Sequence, residues 1–241
     1  MVFAAGVGSR LRPLTDRVPK ALVEVGGRSL LELVLERLIR AGVDSAVVNV
    51  HHEPDQIVTF LNTGRIGIPI AVSRETELLD TGGGLKHAAS LLAGDKPFFI
   101  HNVDVLSGID LEALYRDHTK SGALVTLAVQ PRATGRALLF DPEGLLTGWE
   151  EGPGGRRDWA GPPHSNVERL AFCGIHVASP VLLSRLSESG AFPIVSAYLR
   201  LAGEGAIIRA FRADGVFWSD VGNAEKLEAV RRLSAEGGLP A

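Results

Sequence analysis

The chain has 241 residues, a formal net charge of −3, 45% hydrophobic residues and 22% charged residues. That length fits one large domain or two small ones, and that charge excludes the basic footprint of a nucleic-acid binder. The lone Cys173 excludes an intrachain disulfide and fits a reducing compartment. With no run near the ~18 apolar residues of a membrane span and no secretory leader pattern, a cytoplasmic protein without membrane partners is expected.

The first strand is short, Met1-Val2-Phe3, and feeds a glycine-containing loop. In 28–41, Leu30, Leu31, Val34, Leu35, Leu38 and Ile39 recur at helical spacing, and Gly42 ends the run. Short β-branched or apolar runs at 43–50, 68–73, 96–101 and 123–130 read as strands. Helical patterns at 84–93 and 110–121 alternate with them, and Asp110 is placed to cap the second. Such alternation predicts a mostly parallel sheet with helices on both faces.

Beyond about residue 131 the pattern loosens. Residues 136–150 read as two strands around a Pro-Glu-Gly turn, and 151–168 as a loop. A strand at 170–177, helices near 179–187 and 194–204, strands at 206–212 and 216–219, and a helix over 223–235 follow. No repeat and no long linker interrupts the chain. A single domain over 1–241 is expected, with a nucleotide-binding half at 1–130 and a sugar-phosphate-binding half at 131–241.

The loop from Ala4 to Lys20 carries the densest signal. Gly6-x-Gly8 is not a dinucleotide fingerprint, since Leu11 occupies the third small position, and it is not a P-loop. The glycines alone describe an ordinary strand-to-helix turn. Arg10, Arg12, Arg17 and Lys20 fall within eleven residues, and Pro13 and Pro19 keep the segment out of a regular helix. Freed backbone N–H groups with nearby Arg and Lys suit a polyphosphate. Arg12 and Arg17 read as solvated surface charge.

Two acids lie where a sheet of this type places ligands, beyond strand carboxyl ends. "PFFIHNVDV" ends an apolar run in Asn102-Val103-Asp104, and "VFWSDVGN" places Asp220 between Trp218 and Gly222. Asn223 is the better cap for the last helix, which leaves Asp220 without a structural task. "ETELLDTGGGLKHA" sets Gly82, Gly83 and Gly84 at a helix start, where missing side chains allow close approach to a base or phosphate. The seven histidines form no metal-ligand pair; His51 and His52 are adjacent on a strand and point apart.

Residues 6–20, Gly-x-Gly-x-Arg-x-x-Pro-x-Thr-x-x-x-Pro-Lys, meet every fixed position of the signature of the sugar-1-phosphate nucleotidyltransferases, the nucleotide-sugar pyrophosphorylases. Trp218-x-Asp220-x-Gly222 resembles that family's second acidic motif. The resemblance implies a Rossmann-like doubly wound mixed sheet of the nucleotide-diphospho-sugar transferase type. It implies Arg10 on the leaving pyrophosphate, Lys20 on the transferring phosphoryl group, and Mg²⁺ on Asp104 and Asp220. It also implies nucleotide contacts from Ala5, Gly6, Gly8, Glu75, Thr81, Gly82, Gly83 and Asn102, with Glu75 offered to base N–H donors. On the sugar side it implies Glu151 and Gly174.

Two departures stand out. Val103 replaces the usual Gly before the first acid, and Gly152 replaces the usual phosphate-binding Lys. Arg136, Arg156, Arg157 and Arg169 are the candidates to supply that cation. The implied partners are an NTP and a sugar 1-phosphate, with oligomeric state unspecified. The Glu…Thr-Gly-Gly-Gly segment resembles both uridylyltransferases of N-acetylmuramate 1-phosphate and guanylyltransferases of mannose or heptose 1-phosphate, so UTP and GTP both stand. The rival readings are a metal-dependent glycosyltransferase that consumes an NDP-sugar, and a non-catalytic nucleotide sensor.

Overall fold

Val2–Phe3 form β1, the strand that delivers the chain to the glycine loop. After three 3-10 turns come a small hairpin, β2 (Glu24–Val25) and β3 (Arg28–Ser29), then α1 (Leu30–Arg40), β4 (Ala46–Val50), α2 (Pro54–Leu61) and β5 (Ile70–Arg74). Next are α3 (Asp80–His87), β6 (Phe98–Asn102), β7 (Val105–Ser107), α4 (Leu111–Ser121) and β8 (Val125–Gln130). The second half adds β9 (Arg136–Phe140), β10 (Leu146–Glu151), β11 (Arg157–Trp159), β12 (Glu168–Ala178), α5 (Val181–Arg185), α6 (Ile194–Gly203), β13 (Ile208–Arg212), β14 (Trp218–Asp220) and α7 (Ala224–Ala235). This computed structural model describes residues 1–240.

The main sheet runs β11-β10-β9-β12-β6-β1-β4-β5, with β8 and β13 branching from β12. The N-terminal part is parallel: β1 pairs with β4 and β6, and β4 with β5. Beyond β6 the pairing turns antiparallel through β12, β9, β10 and β11, and β13 returns parallel to β8. The result is the expected Rossmann-like mixed sheet. Residues 151–168, read as loop from sequence, include β11; its three residues pair along β10 and carry no hydrophobic run that would announce them.

Helix α1 shows why the pattern was legible. Ser29 caps it by accepting from the Glu32 amide at 3.1 Å, and Leu30, Leu31, Val34, Leu35 and Leu38 are buried on one face. Each such side chain contributes about 1.5–3 kcal/mol, more than the few tenths that separate helix propensities. Two apolar clusters result. One packs α1, α4 and α7 under β1, β4 and β7; the other packs α5 and α6 under β8, β9 and β12. These clusters pack both faces of the sheet, and the loops at the carboxyl ends of β1, β4 and β6 carry polar residues.

Candidate active site

The glycine loop folds back on itself through its own signature positions. Gly8 sits at φ +68°, a left-handed conformation that suits glycine. A side chain there would meet Thr15 Cγ2 at 3.0 Å and Lys20 Cβ at 3.1 Å. The Thr15 hydroxyl donates to the Gly8 carbonyl at 2.8 Å. Three fixed positions of the motif therefore touch one another, which explains their spacing. A side chain at Gly6 would point into open space. Among the described residues, the amides of Gly6, Val7 and Gly8 have no protein acceptor. Such a row of free N–H groups is a concavity for anionic oxygens. Ala5 is buried at the loop's root. Arg12 pairs with Asp16 on the surface, as its reading as solvated charge expected.

The two acids come together. β7 and β14 pair antiparallel with Asp220 opposite Val105, and the Val221 amide donates to the Asp104 carbonyl at 2.7 Å. Each carboxylate already holds an ammonium: Lys20 on Asp104 and Lys226 on Asp220. Gly222 lies between the exposed Arg10 and Asp220: a Cβ there would be 3.2 Å from Arg10 Nη2 and 3.3 Å from Asp220 Oδ2. Arg10, Lys20, Asp104 and Asp220, drawn from the start, middle and end of the sequence, are thus linked in turn: Lys20 to Asp104, Asp104 through Val221 to the Asp220 strand, and Asp220 past Gly222 to Arg10. Val103, the departure beside Asp104, is buried in the core, and its amide donates to the Phe3 carbonyl at 3.1 Å. Its side chain packs in the apolar cluster with Val105 and Cys173 as fellow members.

Among the described residues no group of three or more His, Cys, Asp or Glu side chains converges. Two carboxylates that both attract cations suit a hard divalent ion that takes its remaining oxygens from substrate and water.

Next to the loop, a buried relay ties three strand ends. Asn49 accepts from the Ala4 amide at 2.8 Å and donates to Glu75 Oε1 at 2.6 Å, while Glu75 Oε2 accepts from the Leu79 amide at 3.1 Å. Glu75 is buried and both oxygens are engaged within the protein, so the carboxylate faces inward rather than toward a base. The close approach that the three glycines permit is also made by protein. Side chains there would strike the Phe192 ring at 2.2 Å from Gly82, the Gly190 carbonyl at 2.5 Å from Gly83, and Glu75 Oε1 at 2.6 Å from Gly84. The Gly82 and Gly83 amides both donate to the Phe192 carbonyl, at 2.9 and 3.3 Å, and Thr81 Oγ1 accepts from the Ile194 amide at 3.0 Å.

On the opposite flank, Gly174 is at φ +71°, and a Cβ there would come 2.8 Å from Asn102 Nδ2. Asn102 and Gly174 are therefore neighbours. Arg132 stacks on Trp218, 3.6 Å from the ring centroid, and donates to the Phe172 carbonyl at 2.9 Å. Trp218 Nε1 donates to the Cys173 carbonyl at 2.8 Å. These contacts fasten the Asp220 strand to the Gly174 strand. Cys173 is buried, and that burial pushes its thiol up to about 11.

Of the four candidate arginines, three are engaged. Arg157 and Arg169 both hold the buried Glu150 carboxylate, and Arg156 pairs with Asp158. Burial alone would raise the Glu150 pKa; hydrogen bonds from Arg157 and Arg169 outweigh it and hold the group below its usual range. Arg136 is exposed, lies directly across the β9–β10 ladder from Glu151, and has no ion-pair partner among the described residues. Directly opposed residues share a face of the sheet, so Glu151 and Arg136 face the same side. Asn49, Arg132 and Lys226 were missed from sequence. Only Asn49 left a signal, a polar residue inside the otherwise apolar run Ala-Val-Val-Asn-Val.

A mixed sheet whose parallel core ends in a loop of free amides with Arg10, Lys20 and Asp104, faced by Asp220 of β14 and Lys226 of α7, is the arrangement of an enzyme class that handles phosphoanhydrides. The family model for nucleotidyl transferases matches residues 1–236, and the chain belongs to that family. It is 34% identical to the N-acetylmuramate alpha-1-phosphate uridylyltransferase of Caulobacter vibrioides, over 97% of this chain and 96% of the relative. It is 40% identical to a mannose-1-phosphate guanyltransferase of Gibberella zeae over 92% of this chain, but spans only 60% of that relative's length. The fold matches that of an apo UDP-glucose pyrophosphorylase with TM-score 0.80 at 18% identity, over 99% of this chain and 98% of the other. No helix among the described residues is long and apolar enough to cross a membrane.

Proposed function

We propose that the protein joins an NTP to a sugar 1-phosphate, releasing pyrophosphate and an NDP-sugar. The observation that carries this reading is the convergence of Lys20 on Asp104 beside Arg10 and Asp220. The sugar 1-phosphate oxygen attacks the α-phosphorus, the bond to the β-phosphate oxygen breaks, and pyrophosphate departs. A phosphate monoester has its second pKa near ~6, so the nucleophile is already ionised at neutral pH and no general base is needed. Catalysis then rests on position and charge.

The free amides of the Gly6–Gly8 segment cradle the triphosphate, with Ala5 at its root. Arg10 takes charge on the departing pyrophosphate. Lys20 leaves Asp104 for the transferring phosphoryl group. Asp104 and Asp220 would hold a divalent ion, Mg²⁺ by preference, which when bound neutralises phosphate charge. Gly82 and Gly83, locked against Phe192, and Thr81, bonded by the Ile194 amide, form a wall for the nucleoside rather than a set of donors, and Glu75 positions that wall through Asn49 and Leu79. Asn102 contacts the nucleotide and Gly174 the sugar, and the two adjoin where the substrates meet. Glu151 and Arg136 are its hydroxyl acceptor and phosphate cation, Arg136 standing in for the lysine absent at Gly152.

The end-to-end match to a uridylyltransferase favours UTP with an N-acetylated sugar acid 1-phosphate. The 40% identity to a guanyltransferase keeps GTP with mannose 1-phosphate as the second pair. Product analysis by phosphorus NMR after incubation with each pair separates them. A UDP-sugar from the first pair supports the uridylyl reading; a GDP-sugar alone replaces it, and neither product refutes both.

A further inference from the structure

Lys226 stands where helix chemistry disfavours it. Asn223 caps α7 by accepting from the Lys226 amide at 2.9 Å, so Lys226 occupies the third helical position. That position favours Glu or Gln, which complete a reciprocal cap, and a cation there opposes the positive end of the helix dipole. Helix α1 follows the rule: Ser29 caps it and Glu32 fills the same position. In α7 the rule is broken by a side chain whose ammonium lies on Asp220.

The two ion pairs at this site are not equivalent. Lys20 and Asp104 are 11% and 24% exposed, whereas Lys226 and Asp220 are 46% and 28% exposed. The second pair is wetter, screened and weakly held. Arg10, beside Gly222, is near enough to add positive potential at Asp220 without itself closing an ion pair within 4 Å.

We infer that Lys226 is a tethered counter-cation of Asp220, one that competes with a divalent ion for this carboxylate and so sets how much metal the nucleotide-free protein binds. Lys226 neutralises Asp220 while the ion is absent and swings out to solvent when it arrives. Asp220, not Asp104, is the carboxylate that opens first. The inference rests on the proposed metal role of Asp220.

The test is a titration of the full chain with Mn²⁺, without nucleotide, read by water-proton relaxation. Lys226→Met, which keeps the aliphatic stem, is expected to bind Mn²⁺ about two- to fivefold tighter than wild type, the span set by an exposed ion pair. Lys226→Arg should restore wild-type binding. Lys226→Gln guards against a packing effect of methionine and should behave as Met does. Unchanged or weaker binding in both neutral variants overturns the inference. Asp220→Asn separates this from failure of the site reading. If it weakens binding while the Lys226 variants do not alter it, only the counter-cation role falls. If wild type and Asp220→Asn titrate alike, the metal role of Asp220 falls, and the counter-cation role with it.

Discussion

Lys20 and Asp104, 84 residues apart in sequence, form an ion pair at the carboxyl ends of the central strands. One closes the glycine loop and the other follows β6. Either residue lost should leave the fold intact and remove a charge from the proposed reacting centre. Asp104→Asn is expected to lower turnover at least ~100-fold, the scale of removing one preorganised electrostatic group. Steady-state kinetics beside a circular dichroism melt checks this. Wild-type turnover in a folded variant would remove Asp104 from the mechanism.

Gly84 tests the buried relay. An added methyl would lie 2.6 Å from Glu75 Oε1 and 2.9 Å from Asn49 Nδ2. Neither neighbour is a free surface tip. Gly84→Ala should therefore cost about 1–3 kcal/mol, or roughly 2–4 °C of melting temperature per kcal/mol in a chain of this size. Differential scanning calorimetry reads it directly, and a melt matching wild type would show that the relay yields.

Residues 6–20 were legible because their fixed positions answer to one another locally, Gly8 against Thr15 and Lys20. The late acid was legible because Trp218, Asp220 and Gly222 share one short strand end. Glu75 and the glycines of α3 were not. Their packing partners, Asn49 and the 190–194 loop, lie far away in sequence, and a glycine against protein reads the same as a glycine against a ligand. Lys226 was invisible for a related reason: only the fold shows that it reaches Asp220. Strand β7 was also missed, since its three residues follow β6 too closely to separate by pattern.

Gly174→Ala probes the proposed sugar flank. The residue has φ +71°, and an added Cβ would sit 2.8 Å from Asn102 Nδ2 and 3.1 Å from Val105 Cγ2. Asn102 must move, and Asp104 is two residues on. A rise in KM for the sugar phosphate larger than that for the NTP is expected. Equal changes in both would argue that Gly174 serves the strand alone.

His176 predicts an acid-sensitive stability. Burial lowers its pKa from 6.5 to about 3, and neither ring nitrogen has a partner among the described residues. Its ring packs against Phe172 and Tyr198. The unfolded chain takes up a proton below about pH 6.5 that the native state refuses, so native stability falls as pH drops from there toward 3. His176→Phe removes that proton uptake and should flatten the decline of melting temperature between pH 7 and 5. An unchanged slope would assign it elsewhere, with His101 and His118 the next buried candidates.

Glu150 acts in the same direction from a lower pH. Its folded pKa is held down by Arg157 and Arg169, so its stabilisation is full above the ordinary carboxylate value of 4.5 and is lost as pH falls through the lowered one. Glu150→Gln should be less stable than wild type at pH 7, with the gap narrowing on acidification. Urea unfolding at pH 7 and pH 4 measures it. A gap that widens would contradict the ion-pair reading.

The most direct measurement is pyrophosphate release by wild type and Asp104→Asn with Mg²⁺, across UTP, GTP, ATP, CTP and dTTP and a panel of sugar 1-phosphates. Release by wild type that needs one NTP and one sugar phosphate together, and that collapses in the variant, is the predicted result. Release without any sugar phosphate, or none with any pair despite NTP binding, would contradict it.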